Sequence, residues 1–392
     1  MAFQTLAGVR ILDLTAYLAG PYAATLLGDL GADVVKIESP DGDTIRQYPS
    51  TLAGDSRVYL GTNRNKRSIV LDLKQPQALS AFHRLVEGAD VVLHNFRPAA
   101  AARLGVDREA LAAVNPRIVY ACLTGFGLEG PMADAPGFDQ VLQSMSGIAW
   151  LQGLGTGEPR ILWGSIIDYY AASLLAMAIA SALFDRERSG QGQEVDVSLL
   201  RAALALQAGR MVWAEGEGRE VMRDMRAGRL AGIHPTKEGW LYLQAQTPKF
   251  WRALCEHTGL AHLADDPRYD DMRKRKERED ELVPLLHAAL ATRTALEWEA
   301  CFGQSVPCAA VRTVEDMFDH PQVLALGLVA EHRHPRVGRY RAMSAPVRVS
   351  DGRAARPDRR APLLGEHTDE VLREAGLDDA AIAALRATGA AR

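Results

Sequence analysis

Apolar residues in the first half of the chain fall in short, nearly unbroken runs separated by stretches with helical spacing. Val9-Arg10-Ile11-Leu12-Asp13-Leu14 reads as a strand. Pro21 then sits where a first helical turn tolerates it, and a helix from Ala23 to Leu30 is stopped by Gly31. Ala32 to Glu38 is almost continuously apolar, as a strand covered on both faces requires, so the opening is a βαβ unit of a mostly parallel sheet. Further strands are expected at Ser68 to Leu73, Ala89 to His94, Arg117 to Leu123 and Glu194 to Ser198. The first crossover, Thr15-Ala16-Tyr17-Leu18-Ala19-Gly20-Pro21, lacks the Gly-x-Gly-x-x-Gly turn. That argues against the usual dinucleotide site but not against a related sheet.

A small-residue helix follows Asp168 and runs to Arg188, before the turn Ser189-Gly190-Gln191-Gly192-Gln193. From Leu199 to about Arg229 the sequence is Ala-rich, then charged and Gly-dotted, without a β pattern; it reads as a helical linker over 201–229 joining a large domain, 1–200, to a smaller α/β domain, 230–325. In the smaller domain the mixed-sign stretch from Arg273 to Glu281 reads as a solvated helix rather than a nucleic-acid patch. Gln244 to Phe250 admits two readings, a lid or a helix entry. Pro346 to Arg360 reads as connection, and Thr368 to Ala387 as a terminal helical region.

With 392 residues, 47% of them hydrophobic, the chain has ample material for a sizeable core. A formal charge of −4 gives no net attraction to nucleic acid or to an anionic membrane, so an anionic ligand needs local basic groups. Cys122, Cys255, Cys301 and Cys308 follow no metal or redox spacing and read as reduced thiols. The start of the chain lacks a basic region followed by a long apolar run, and no window has about 18 uninterrupted apolar residues. The expectation is a cytoplasmic protein without membrane or nucleic-acid partners.

Asp168 is the leading candidate for chemistry. It stands where the small-residue helix begins, so it is either a helix cap or a nucleophile. Upstream lie two glycine-bearing loops, Gly125-Phe126-Gly127-Leu128-Glu129-Gly130-Pro131 and Gly137-Phe138-Asp139, which bring a second acid.

These fragments, with Leu12-Asp13-Leu14, Ala19-Gly20-Pro21, Gly28 to Glu38, Asn65-Lys66-Arg67-Ser68, Leu71-Asp72-Leu73-Lys74, Asn95-Phe96-Arg97-Pro98, Asn115-Pro116-Arg117, Ser146-Gly147, Gly190-Gln191-Gly192-Gln193 and Asp266-Pro267-Arg268, occur in an order that resembles the class III CoA-transferases over almost the whole chain. Alpha-methylacyl-CoA racemases belong to the same group. The resemblance implies an α/β fold: a Rossmann-like large domain completed by a return segment, 326–392, plus the smaller domain, in an interlocked ring-like homodimer. It implies that Asp168 is the nucleophile, attacking an acyl-CoA to give an aspartyl-acyl anhydride and then an aspartyl-CoA thioester. Asp168 must be ionised to attack, so backbone N–H donors and no unpaired carboxylate are expected beside it.

Asp139 matches an acid near the catalytic centre and is either a supporting catalytic group or a hydrogen-bonded loop acid. For coenzyme A the matching positions are Leu18, Ala19, Ser39, Leu71, Asp72, Leu73, Lys74, Asn95, Phe96, Arg97 and Arg103. Lys74, Arg97 and Arg103 suit its phosphates, and Leu71, Leu73 and Phe96 its adenine and pantetheine. The partners implied are acyl-CoA and a carboxylic acid as substrates, with no permanent cofactor and no metal. Two departures matter. Racemases carry a histidine where this chain has Phe138, which disfavours two-base epimerisation. The formyl-CoA branch carries glutamine at Leu18, arginine at Ser39 and a Gly-rich lid, all absent here. A CoA-binding protein without turnover is the non-enzymatic alternative.

Overall fold

The computed structural model describes residues 3–154, 156–218, 228–350 and 358–392. Six strands, β1 (Arg10–Asp13), β2 (Asp33–Glu38), β3 (Lys66–Val70), β4 (Val91–His94), β5 (Val119–Thr124) and β6 (Glu194–Ser198), form one sheet, all its pairs parallel, in the order β3-β2-β1-β4-β5-β6. This is the doubly wound order, which reverses between β1 and β4 and opens a crevice at their carboxyl ends.

Strand alternation sends Ile11, Val34, Val91 and Val119 to one face and Leu12, Val35, Val92 and Tyr120 to the other. The first face packs on the helix Ala19–Asp29 and on the long helix Ile166–Ser189. By length and composition the long helix could cross a bilayer, but here Ala171, Ala172, Leu175, Ile179 and Leu183 are buried in this core. The second face packs on Pro76–Glu87 and on the two terminal helices, Thr368–Glu374 and Asp379–Ala387, through Phe82, Leu85, Val371, Leu372, Ile382 and Leu385. Leu71 bridges Ala391, and Arg67 on β3 pairs with Glu370 and Glu374, so the end of the chain docks on the sheet edge.

The chain divides into two compact units: one runs through Glu215 and resumes from Gln322 to Arg392, and Gly216–Pro321 forms the other. The helix expected over 201–229 is not continuous. A short helix, Leu199–Ala205, gives way to turns where the buried Gln207 side chain bonds back to Ala203 and across to Ser146; Gly209 and Gly216 follow, and 219–227 lie outside the described residues.

In the second unit β7 (Gly232–Pro235), β8 (Trp240–Leu243) and β9 (Cys308–Ala310) pair antiparallel, with Leu241, Leu243, Trp251, Leu286, Trp298 and Phe302 in its core. Gln244 to Phe250 is a helix entry, because Thr247 caps the helix Pro248–Thr258 by accepting the Phe250 N–H. The charged stretch breaks at Arg278 into two helices, and Arg275 is buried, donating to the carbonyls of Tyr269 and Gln246. The first unit also carries a hairpin, β10 (Val329–His334) and β11 (Gly338–Met343), for which the sequence holds no strand pattern.

Candidate active site

The crossover after β1 and the loop after β4 meet at the topological switch point. Asn95 joins them, accepting the Ala16 N–H at 3.1 Å and donating to the Ala16 carbonyl at 2.9 Å. Tyr17, next in the crossover, adopts φ 69°, a region that side chains with a Cβ rarely occupy, and its N–H is held by Asp43 Oδ1 at 3.1 Å. Its ring meets that of Phe138 edge-on, with centroids 5.7 Å apart.

A cavity of about 330 Å³ opens here, lined by the crossover, Asn95 to Arg97, Thr124, Gly125, Gly137, Phe138 and Asp168. The two glycine loops form part of its wall by backbone contact. A Cβ on Gly125 would lie 2.8 Å from the Gly137 Cα, and one on Gly137 would lie 2.6 Å from the Gly125 Cα. Neither loop can carry a side chain there without separating from the other. Gly137→Ala is therefore expected to cost about 1–3 kcal/mol in a urea melt and to lower activity sharply, because the loop bearing Phe138 and Asp139 must move.

Asp168 is the third residue of the long helix and lines the cavity half-buried. It is not the cap. Its carboxylate accepts no hydrogen bond from any described residue, while Ser165, at the cap position, adopts a left-handed conformation and offers no side-chain bond. The cap is Asp139, fully buried, whose Oδ2 accepts the Ile167 N–H at 2.7 Å and the Asp168 N–H at 3.2 Å. This corrects two expectations: backbone donors do not surround the Asp168 carboxylate, and a second carboxylate does stand close by. Burial first, and then the charge of Asp139, push the Asp168 carboxyl up to about 7.

A second cavity, about 230 Å³, shares Ala16 and Phe96 with the first. Ser39, Leu71, Asp72, Leu73 and Lys74 line it. Leu18, Ala19, Asn95, Phe96 and Arg97 line the first. Ten of the eleven positions expected to meet coenzyme A thus border one of two adjoining cavities. Arg103 is the exception: it is exposed near the end of the helix Pro98–Leu104, and it is the neighbouring Leu104 that faces the second cavity. Asp72 also fastens the turn after β3, its carboxylate accepting the Lys74 N–H and the Gln75 side-chain amide. Two residues of the site escape a reading by sequence: Tyr17, whose backbone strain has no local signal, and Gln143, whose only signal is its place one helical turn beyond Asp139.

Comparison with known proteins gives the family of the chain. The profile of CoA-transferase family III matches residues 6–368. The chain is 35% identical to succinate–glutarate CoA-transferase of Agrobacterium fabrum, over 94% of this chain and 95% of that one. It is 34% identical to succinyl-CoA:glutarate CoA-transferase of Mus musculus, over 99% and 90%. The crystal structure of a CaiB/BaiF family protein from Brucella suis superposes with a TM-score of 0.84 at 30% identity, covering 95% of this chain and 100% of that one. With the doubly wound sheet, the switch-point cavity and a match across nearly its whole length, the chain belongs to the class III CoA-transferases, enzymes that move coenzyme A between carboxylic acids.

Proposed function

We propose that this enzyme transfers coenzyme A from an acyl-CoA to a carboxylic acid through covalent intermediates on Asp168. The observation that carries the reading is that Asp168 is the one carboxylate among the described residues lining the switch-point cavity, which adjoins the second cavity through Ala16 and Phe96. The nucleotide lies in the cavity lined by Ser39 and Leu71 to Lys74, and pantetheine passes Phe96 toward Asp168.

The Asp168 oxygen attacks the thioester carbonyl, the C–S bond breaks, and an anhydride and CoA thiolate form. The thiolate attacks the Asp168 carbonyl carbon, breaking the C–O bond to release the donor acid and leave an aspartyl-CoA thioester. The acceptor carboxylate attacks that thioester and expels the thiolate, which then attacks the acceptor's acyl carbon. Acyl-CoA leaves and the Asp168 carboxylate is restored. Thioester exchange with labelled carboxylates across a panel of acyl-CoAs tests the reading. Absence of exchange despite tight CoA binding would replace it with a non-catalytic CoA-binding role, and deuterium exchange at the α-carbon without acid exchange would favour a racemase, which the apolar Phe138 in the cavity wall argues against. Succinyl-CoA is the donor we choose, because the A. fabrum and M. musculus relatives are named for succinate or succinyl-CoA and glutarate.

Ionisation of Asp168 dictates a pH dependence. A carboxyl held near 7 is ionised above that pH and loses its nucleophilic form as pH falls through it. The expected kcat/KM rises with a one-proton slope and levels off above about 7, whereas a carboxyl at the ordinary 3.8 would leave the profile flat from pH 5 upward. The same shift lowers stability as pH rises from about 4 to 7, since the folded state retains a proton that the unfolded chain releases.

The working unit in this proposal is an interlocked homodimer. Tyr169, Met177 and Phe184 are exposed along the long helix at spacings that place them on one face, an apolar stripe suited to a second chain. A folded, active monomer at nanomolar concentration in sedimentation would reject this part.

A further inference from the structure

Gln143 is fully buried one helical turn beyond Asp139, on the helix Asp139–Met145. Its side-chain amide is engaged on both atoms. Nε2 donates to Asp139 Oδ1 at 2.5 Å and to the Leu162 carbonyl at 2.8 Å, and Oε1 accepts the Leu162 N–H at 2.9 Å. Toward Leu162 the amide therefore behaves like a neighbouring strand, satisfying both backbone groups of a residue that lies in irregular chain. Toward Asp139 it occupies one carboxylate oxygen and leaves the other for the Ile167 and Asp168 N–H groups.

From these bonds we infer that Gln143 is a positioning residue for the nucleophile. It rests on the reading of Asp168 as that nucleophile. The loop it grips ends in Gly164 at φ 113° and Ser165 at φ 55°, two successive left-handed residues from which the long helix starts. Ser165 supplies no side-chain cap, so the start of the helix is set by two contacts from outside it: Gln143 on the loop and Asp139 on the first turn. Gln143 joins the two. Loss of the amide frees the loop and lets the Asp139 carboxylate rotate, displacing Asp168 from the attack line without touching the surfaces that bind CoA. Glutamate cannot substitute, because it presents acceptors where both Asp139 and the Leu162 carbonyl need a donor.

The test is steady-state kinetics of full-length Gln143→Leu and Gln143→Glu with the acyl-CoA and acid that the wild-type enzyme turns over, with thermal melts confirming that each variant is folded. The expected result is a kcat reduced roughly 10- to 100-fold with KM for acyl-CoA within about threefold of wild type, because misplacement by about an ångström costs attack geometry and not ground-state binding. The double variant Asp139→Asn/Gln143→Glu restores one donor–acceptor pair with the charge exchanged. It is expected to retain more activity than the product of the two single losses, the mark of direct coupling. A kcat within threefold of wild type in Gln143→Leu, a loss confined to KM, or strictly multiplicative losses in the double variant would overturn the inference. Where Gln143→Leu does not fold, Gln143→Glu and the double variant decide. Failure of the nucleophile reading is separate: it appears as exchange surviving in Asp168→Asn, whatever the Gln143 variants do.

Discussion

Asp168→Asn is expected to lower acyl-CoA:carboxylate exchange by roughly 10⁴-fold or more, the scale on which removal of a covalent nucleophile acts, while the affinity for CoA stays close to wild type. An amide in the same place cannot form the anhydride, yet it fills nearly the same volume and leaves both cavities lined as before. Stability separates this from a capping role. Were Asp168 the cap, its replacement by Ala would cost about 0.5–2 kcal/mol. In the structure Asp139 caps the helix, and the Asp168 carboxylate is a partly desolvated charge beside another acid. Asp168→Asn removes that unfavourable charge, so at pH 8 the variant should melt at or above the wild-type temperature while being inactive. Hydroxylamine trapping supplies the direct observation: an adduct on Asp168 in wild type incubated with acyl-CoA, and none in the variant. Turnover near wild type in Asp168→Asn, with deamidation excluded by mass spectrometry, would defeat the assignment.

The sheet was legible because its strands are covered on both faces. β1, β2, β4 and β5 are runs in which nearly every position is buried, and such runs survive any shift of register. β3 was less so. It starts at Lys66 rather than Ser68 because Lys66 and Arg67 find acids from distant segments, and that information is tertiary. The β10–β11 hairpin carries His332, Arg333, His334, Arg339 and Arg341 with little apolar alternation, so periodicity gave no signal. Asp168 could be read from its place at a helix start. The identity of the cap could not, since Asp139 lies 29 residues away and meets the helix only through tertiary contacts. N–H donors around Asp168 would lower its pKa, whereas the fold directs the N–H groups of Ile167 and Asp168 to Asp139 and leaves the Asp168 carboxyl raised.

Lys66→Met should destabilise the protein by about 3–5 kcal/mol, more than Gly137→Ala or any change at Asp168. The Lys66 ammonium is inaccessible to water, and its three donors are matched by Asp13 Oδ2 at 2.8 Å, the Pro21 carbonyl at 2.7 Å and Asn63 Oδ1 at 2.9 Å. Asp13 is equally inaccessible, so removal of the lysine strands a buried carboxylate in the middle of the sheet. The second cation in reach, Lys36, is already engaged by Asp43 at 2.9 Å and by the Thr15 carbonyl at 2.8 Å. A urea melt reads the loss directly. In a double-mutant cycle, Asp13→Asn/Lys66→Met should be less damaging than the sum of the single changes, because the stranded charge is gone. The consequence extends to the site. Asp13 also accepts the Thr15 N–H and hydroxyl, and Pro21 ends the crossover that lines the cavity, so the pair fixes the loop that holds Tyr17 in its strained conformation. Lys66→Met that remains folded at low temperature should therefore show a raised KM for acyl-CoA as well as a lowered melting point. A stability loss below about 1 kcal/mol, the range of an exposed pair, would show that the charge cluster beneath the crossover is dispensable.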